Sequence, residues 1–220
     1  MPSVKTILAD LESRGSKRNR DGMARYGIVA KKAYGISVGD LRKLGKQIGT
    51  DHKLAADLWK TGWFEARMLA VFVDDPDEVT SRQMDSWAKD FENWAICDTA
   101  CFHLFDRTPL AWKKIEQWAT HDDEFVKRGS FALLASVALH DKAEKDAPFV
   151  KSLKLIEKAA DDDRNFVKKG VSWALRGIGH RNPKLRAAAV ATAKKLLKSK
   201  DASARWIARD TIKDLSRPPR

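Results

Sequence analysis

The residues best suited to chemistry are a tryptophan and an aspartate four positions apart within the stretch 91–106. Residues four apart share one face of a helix, so Trp94 and Asp98 would present an aromatic plane beside a carboxylate. An acid flanked by apolar residues is costly to bury, so it caps a helix, lies at an exposed rim or carries function. Taken alone, Asp98 is best explained as a helix N-cap that accepts from the backbone amide of Ala100 or Cys101. A functional role needs support from the rest of the chain.

The cysteines and histidines do not form a metal-binding pattern. Cys97 and Cys101 lie four apart, and a zinc site would need two further ligands that the sequence does not supply. We therefore interpret both as small buried residues in a reducing compartment, and we expect no metal and no cofactor. The five histidines make no triad, and His103 is interpreted as a core or rim residue.

Basic residues are concentrated in the last quarter of the chain. The formal net charge is +12, and the segment from Arg164 to Arg220 contains 16 Lys or Arg against three acids. Such a local excess is typical of a surface that binds a polyanion, although a solvated lysine-rich helix has the same composition. With eight tryptophans as well, nucleic acid is the leading partner class and an anionic membrane surface the weaker one.

Length and hydropathy indicate one domain over 1–220, with an N-terminal helix and basic turn over 1–20 and a disordered tail over 216–220. The uncharged stretch from Gly129 to Leu139 is shorter than the ~18 residues that a membrane-spanning helix needs. The N-terminus has no apolar signal-type segment. We expect a soluble, cytoplasmic monomer that does not bind a membrane.

Helical periodicity dominates the first half of the chain. Apolar residues from Val4 to Leu11 recur at three- and four-residue spacing and predict a helix that the basic run 14–20 ends. Ser37 is predicted to cap the next helix. Further helices are predicted over the segments 52–60, 63–74, 80–91, 93–106 and 109–120, and no strand is predicted in this half.

The second half contains an internal repeat. The segments 123–129 and 164–170 superpose with a shift of 41 residues, and each follows an acidic turn that we interpret as an N-cap. Weaker echoes centre on Arg67 and Arg205. Helical hairpins repeated every 35–45 residues or so are typical of HEAT-like arrays, in which each pair packs only against its neighbours.

Equivalent positions of successive repeats line up along one side of such an array. These positions are occupied by Arg67, Asp98, Arg128, Lys169 and Arg205. A row of cations interrupted by one carboxylate would bind a phosphate backbone and direct a single acid at it. An inter-repeat ion-pair ladder, with Asp98 neutralising Arg67 or Arg128, explains the same row without any chemistry.

Four motifs together resemble one family, the HEAT-like-repeat DNA alkylation repair proteins, whose catalytic members are the AlkD-type alkylpurine DNA glycosylases. The motifs are Met23-Ala-Arg-Tyr26, Trp94-x3-Asp98, Phe125-Val-x-Arg128 and the segment 166–176, and the resemblance extends over residues 23–206. It implies an all-α, HEAT-like helical-repeat solenoid with a concave basic face. By this resemblance Asp98, Trp94 and Trp173 are the catalytic residues, and Arg128 and Tyr26 approach the DNA. The repeat row and the segment 166–176 add further expected DNA contacts, Lys168, Lys169, Arg176 and Arg205.

The reaction implied is release of N3- and N7-alkylated purines from duplex DNA. Such a purine is already cationic, so it leaves as a neutral base without a proton donor, and one carboxylate is enough to stabilise the sugar cation. The resemblance also implies that the base is not extruded into a pocket, so bulky cationic adducts should be tolerated. A lyase step is not expected, because no lysine is marked as an amine nucleophile. The protein would associate with the nucleoid through its DNA.

Two alternatives remain open. Some relatives bind unusual DNA structures without cutting a glycosidic bond, and many helical repeat proteins are scaffolds for other proteins.

The tryptophans outside the predicted site are assigned to packing between repeats: Trp59, Trp63, Trp87, Trp112, Trp118 and Trp206.

Overall fold

The computed structural model describes residues 2–217, and every regular element among them is a helix. The predicted all-α class is confirmed. The described chain divides into two compact units, one ending at Thr108 and the other beginning at Pro109. Within residues 2–217, no helix combines the length and apolar character that crossing a membrane requires. Of the predicted disordered tail, positions 218–220 lie outside the described residues.

The first unit consists of α-helices. They are α1 (Val4–Ser13), α2 (Lys17–Met23), α3 (Val38–Ile48), α4 (His52–Lys60), α5 (Phe64–Val73), α6 (Ser81–Lys89) and α7 (Trp94–His103). They are joined by turns and by one longer segment between α2 and α3. The predicted segments 52–60, 63–74 and 80–91 are confirmed to within two residues. The segment 93–106 is shorter than predicted, because α7 ends at His103 and a 3-10 turn, Phe105–Arg107, follows it.

Side-chain caps explain where many of these helices begin. Polar side chains accept hydrogen bonds from the free amides of the first turn. Ser37 caps α3 through the amide of Asp40, as predicted. Ser16 caps α2, a short helix that the sequence did not predict because its charged residues show no apolar periodicity.

The core of the first unit lies around α5, which packs against α3 and α4. Met68, Leu69 and Ala70 are fully buried there. Gly45 of α3 allows this close approach, since a Cβ at its position would lie 2.8 Å from the Cβ of Phe72. Aromatic packing extends the core, because the buried rings of Trp59 and Trp87 stack with their centroids 3.9 Å apart.

The second unit is built from helical pairs. Its helices are α8 (Ala111–Trp118), α9 (Glu124–His140), α10 (Asp146–Ala159), α11 (Asn165–Arg181), α12 (Pro183–Leu197) and α13 (Ala202–Leu215). The two longest, α9 and α11, pack against each other, and α12 packs against α13.

The predicted internal repeat is present in the second unit. Its two copies open α9 and α11, and equivalent residues touch: the rings of Phe125 and Phe166 have centroids 5.4 Å apart. The amide of Phe166 also donates to the carboxylate of Glu124 at 3.2 Å. Contact between equivalent positions of successive helical pairs is the arrangement that a HEAT-like repeat requires.

The two acidic turns before these helices have different roles. Asp123 caps α9 by accepting from two backbone amides, as predicted. For the second turn the prediction is wrong, because Arg164 occupies the cap position of α11 and no side chain caps it. Asp162 instead pairs with Arg164 at 2.6 Å and with the Nζ of Lys127 at 2.8 Å. Hydrogen bonds from Arg164 hold the pKa of Asp162 well below its usual range.

Candidate nucleic-acid interface

Helix α7 places Trp94 and Asp98 one turn apart. Asn93 is its N-cap and accepts from the amides of Ala95 and Ile96 at 3.0 and 3.2 Å. The interpretation of Asp98 as an N-cap is therefore wrong, because Asp98 lies in the helix interior. Since residues at this spacing share a helix face, the indole and the carboxylate are neighbours, as the sequence predicts. Both side chains are half-buried, so this face is partly open to solvent.

The start of α7 also holds the segment that carries Tyr26. The indole Nε1–H of Trp94 donates to the carbonyl oxygen of Tyr26 at 2.8 Å. Asn93 donates to the carbonyl oxygen of Val29 at 3.0 Å. The side chains of Tyr26 and Val29 are 73% and 69% exposed, so this anchored segment presents an aromatic and an aliphatic group to solvent. The structure thus brings two predicted site residues, Tyr26 and Trp94, into contact, and Asp98 lies one helical turn from Trp94.

The two cysteines of α7 are buried, as predicted. Burial raises the pKa of the Cys101 thiol, and a hydrogen bond with Cys97 raises it further. The charge of Asp98 adds to this rise, which indicates that the carboxylate lies close enough to act on the thiol. A high pKa keeps the Cys101 thiol protonated, and Cys101 therefore acts as an apolar packing group.

A second carboxylate in this unit fixes the loop after Tyr26. Glu65 is fully buried on α5, and its oxygens accept from the amides of Tyr34, Gly35 and Ile36 at 2.9, 2.7 and 3.3 Å. This contact was not predicted from the sequence. The available signal was a lone acid at the start of the apolar stretch Phe64–Val73, where burial requires a hydrogen-bonding partner.

In the second unit, Lys169, Trp173 and Arg176 share one face of α11, since they are spaced four and three apart. Lys169 is exposed and Trp173 is half-buried. The Arg176 guanidinium lies 3.4 Å from Asp210 and 3.8 Å from Asp214, both on α13. Arg176, an expected DNA contact, is thus paired with two acids of the same unit.

Lys168 lies on a neighbouring face of α11, next to the indole of Trp206. Its ammonium is 5.3 Å from the ring centroid, within the range of a cation–π contact. Trp206, assigned to packing between repeats, is 36% exposed, and its contact with Lys168 joins α13 to α11. Trp59, Trp87 and Trp118 are buried, in agreement with that assignment.

Three arginines of the predicted row bind backbone carbonyl groups. Arg128 is 6% exposed and its Nη1 donates to the carbonyl oxygen of Phe166 at 2.7 Å. Arg205 donates to carbonyl oxygens just after α12, and Arg67 donates to that of Trp59 at the end of α4. A cation at a helix C-terminus is stabilising, so the weaker sequence echo at Arg67 and Arg205 reflects a repeated structural role.

Arg67 has further partners that account for its charge. Its guanidinium lies 3.1 Å from Glu92 and 3.4 Å from Asp90. These two acids neutralise the charge of Arg67. Across residues 2–217, no group of three or more His, Cys, Asp or Glu side chains is arranged to hold a metal ion.

The fold and sequence can be compared with known proteins. One similar solved structure is described as belonging to "a new family of proteins related to the HEAT-like repeat DNA glycosylases with affinity for branched DNA structures". The TM-score is 0.79 and the identity 17%, and the match covers 96% of this chain and 95% of that one. A designed armadillo repeat protein matches with a TM-score of 0.34 and 18% identity, covering 81% of this chain and 92% of its own. Among curated proteins, no sequence matches the chain significantly.

The structural likeness confirms the HEAT-like repeat fold. The sequence also matches the family model described as DNA alkylation repair enzyme over residues 7–215. Because this match spans nearly the whole chain, the protein belongs to the DNA alkylation repair enzyme family.

Proposed function

We propose that the protein is a monofunctional DNA glycosylase that hydrolyses the N-glycosidic bond of cationic N3- and N7-alkylated purines in duplex DNA. The observation that carries this proposal is the pair of Trp94 and Asp98 on one half-buried face of α7, with Trp94 anchored to the backbone of Tyr26. Family membership supports a role in DNA alkylation repair.

One carboxylate suffices for this reaction. The C1′–N bond breaks with both electrons going to the cationic purine, which leaves as a neutral base. Water then adds to C1′ and releases its proton, which leaves an abasic site. Asp98 stabilises the positive charge that develops on the sugar, and the indole face of Trp94 favours the same charge. An undamaged purine would leave as an anion, and no acid is assigned to protonate it.

The second unit supports the DNA-binding part of the proposal. Lys169 is exposed on the face of α11 that carries Trp173, and Lys168 lies beside an exposed indole. Cations next to aromatic side chains are suited to a nucleic-acid backbone and its bases. In this proposal Trp173 contacts the bound DNA beside Lys169, whereas Arg128, buried against the carbonyl oxygen of Phe166, positions the start of α11.

The test is base release from a labelled duplex that contains 7-methylguanine. Asp98→Asn keeps the size and helix propensity of the side chain but removes its charge. We expect single-turnover base release to fall by about 10²–10³-fold, the range for loss of one preorganised electrostatic group. Duplex affinity should be unchanged.

Asp77→Asn is a matched control, because Asp77 is an exposed acid in the same unit. Its rate should equal that of the unmodified protein. Undiminished release by Asp98→Asn would contradict the role of the carboxylate. An adduct much larger than methyl should still be released. Failure to release it would contradict the proposal that the protein approaches the lesion from its sugar and does not enclose the base in a pocket.

The second candidate function is recognition of branched or distorted DNA without catalysis. The observation in its favour is the 0.79 TM-score to a protein described as having affinity for branched DNA structures. The two functions are separated by measuring base release and the relative affinities for a four-way junction and a linear duplex. A junction preference without any base release would favour the second.

A further inference from the structure

The first unit contains a basic cavity that the proposed reaction does not use. It has a volume of about 540 Å³ and is lined by parts of α1 and α2, the segment 30–34 and Trp63. This volume falls within the ~300–1,000 Å³ typical of pockets that hold a small ligand. Its size therefore suits one nucleotide better than a flat contact with a duplex.

Four cations line this cavity. They are Lys17, Arg20, Lys31 and Lys32, and all four side chains are exposed. Arg20 lies 3.8 Å from Asp21, whereas within residues 2–217 the three lysines form no ion pair. Their charge is therefore available to an anion, and a phosphate group is the anion that such a cluster suits.

Aromatic rings form another part of the wall. Tyr34 and Trp63 stack with ring centroids 4.0 Å apart and planes 6° apart, so they make a two-ring platform. Aromatic side chains of this kind stack on nucleobases with little sequence preference. Glu12 also lines the cavity, and its charge adds to burial in raising the pKa of Tyr34. An acid beside the rings repels phosphate but accepts hydrogen bonds from the amino groups of a base.

The wall of the cavity is fixed before any ligand binds. The carbonyl oxygen of Tyr34 accepts from the amide of Ser16 at 2.9 Å, and that of Lys32 accepts from the amide of Phe64 at 2.9 Å. The amide of Tyr34 itself donates to the carboxylate of Glu65. A preformed wall avoids the entropy cost of ordering a loop on binding.

We propose that this cavity binds one unpaired nucleotide of a DNA strand, with its phosphate among the lysines and its base on the Tyr34–Trp63 platform. Bases in a duplex are stacked between their neighbours. A strand end or a flap therefore offers an unpaired nucleotide, whereas an intact duplex does not. The choice of DNA as the ligand rests on the proposed function. The cavity itself takes no part in base release.

The experiment compares a blunt duplex with the same duplex carrying a five-nucleotide single-stranded extension. Fluorescence anisotropy at fixed salt should give about tenfold tighter binding of the extended DNA, as expected for one stacked base and one phosphate contact. Lys31→Gln/Lys32→Gln should abolish this preference and leave base release from the blunt duplex intact. Lys46→Gln/Lys53→Gln removes two exposed lysines that do not line the cavity, and it should keep the preference.

Variants of one ring test the platform separately. Tyr34→Phe keeps the ring and should keep the tenfold preference, whereas Tyr34→Leu should lose it. Equal affinity of the unmodified protein for the two DNAs would overturn the proposal, as would a preference that survives in Lys31→Gln/Lys32→Gln. Tight binding of free deoxyadenosine monophosphate without any preference for extended DNA would assign the cavity to a free nucleotide instead. If neither DNA binds, the proposed function fails, whereas equal binding of both removes only this inference.

Discussion

Replacement of Glu65 by glutamine tests how the loop between Tyr26 and α3 is held. The buried carboxylate accepts three backbone N–H groups, one through Oε2 and two through Oε1. Glutamine has almost the same shape, but its side-chain nitrogen is a donor. In Glu65→Gln this nitrogen would face the amide of Tyr34 at about the present 2.9 Å, so two donors would oppose each other.

The expected magnitude follows from these contacts. A hydrogen bond to a charged group contributes about 1.5–3 kcal/mol, and a buried donor left without an acceptor costs about 1–3 kcal/mol. The two bonds at Oε1 persist in weakened form. We therefore expect Glu65→Gln to lower the free energy of unfolding by roughly 2–4 kcal/mol.

Urea unfolding followed by tryptophan fluorescence measures this change. With a denaturant slope of about 2 kcal/mol/M, the midpoint should fall by roughly 1–2 M. Hydrogen exchange at the amide of Gly35 should also become faster, which localises the effect to this loop. Glu78→Gln, at an exposed acid, should change stability by less than about 0.5 kcal/mol. A midpoint for Glu65→Gln equal to that of Glu78→Gln would refute the reasoning.

Three further predictions concern other contacts. Trp94→Phe keeps a ring but loses the bond to the Tyr26 carbonyl, so chymotrypsin should cleave after Tyr26 about threefold to tenfold faster; an unchanged rate would show that this bond does not hold the segment. Asp162→Asn should be less stable than the unmodified protein near neutral pH. Because the pKa of Asp162 is lowered in the folded state, this difference should shrink as the pH falls below about 4, and a pH-independent difference in urea unfolding would contradict it. Lys169→Gln should weaken duplex binding more than Arg176→Gln, since Arg176 is already paired with two acids; equal losses in anisotropy titrations would contradict this.

Much of the secondary structure could be predicted from local patterns. Apolar spacing predicts the helices over 52–60, 63–74 and 80–91, and residue type predicts the cap at Ser37. These signals act within one or two turns, so they are visible in the sequence. Helix α2 has no apolar periodicity, and its contact with the segment at Gly35, where a Cβ would lie 2.2 Å from the Ser16 carbonyl oxygen, is visible only in the folded chain.

The partners of the charged residues could not be predicted in the same way. Asp162 looked like a helix cap but pairs with Lys127, 35 positions away, and Arg176 pairs with acids on α13. The local sequence around an arginine on a repeat surface is the same whether its guanidinium contacts a carboxylate or solvent. Only the packing of one helix against the next decides between ion pairing and exposure.

By itself, the sequence determined that the chain is helical, that it contains a repeated motif, and that Trp94 and Asp98 share a helix face, because each of these follows from spacing along a few turns. The tertiary structure alone decided that Trp94 is tied to Tyr26, that Glu65 fixes a distant loop, and that four cations and two rings line one cavity. These contacts join residues that are far apart in the chain, and their energies come from burial and hydrogen-bond geometry that only the folded packing creates.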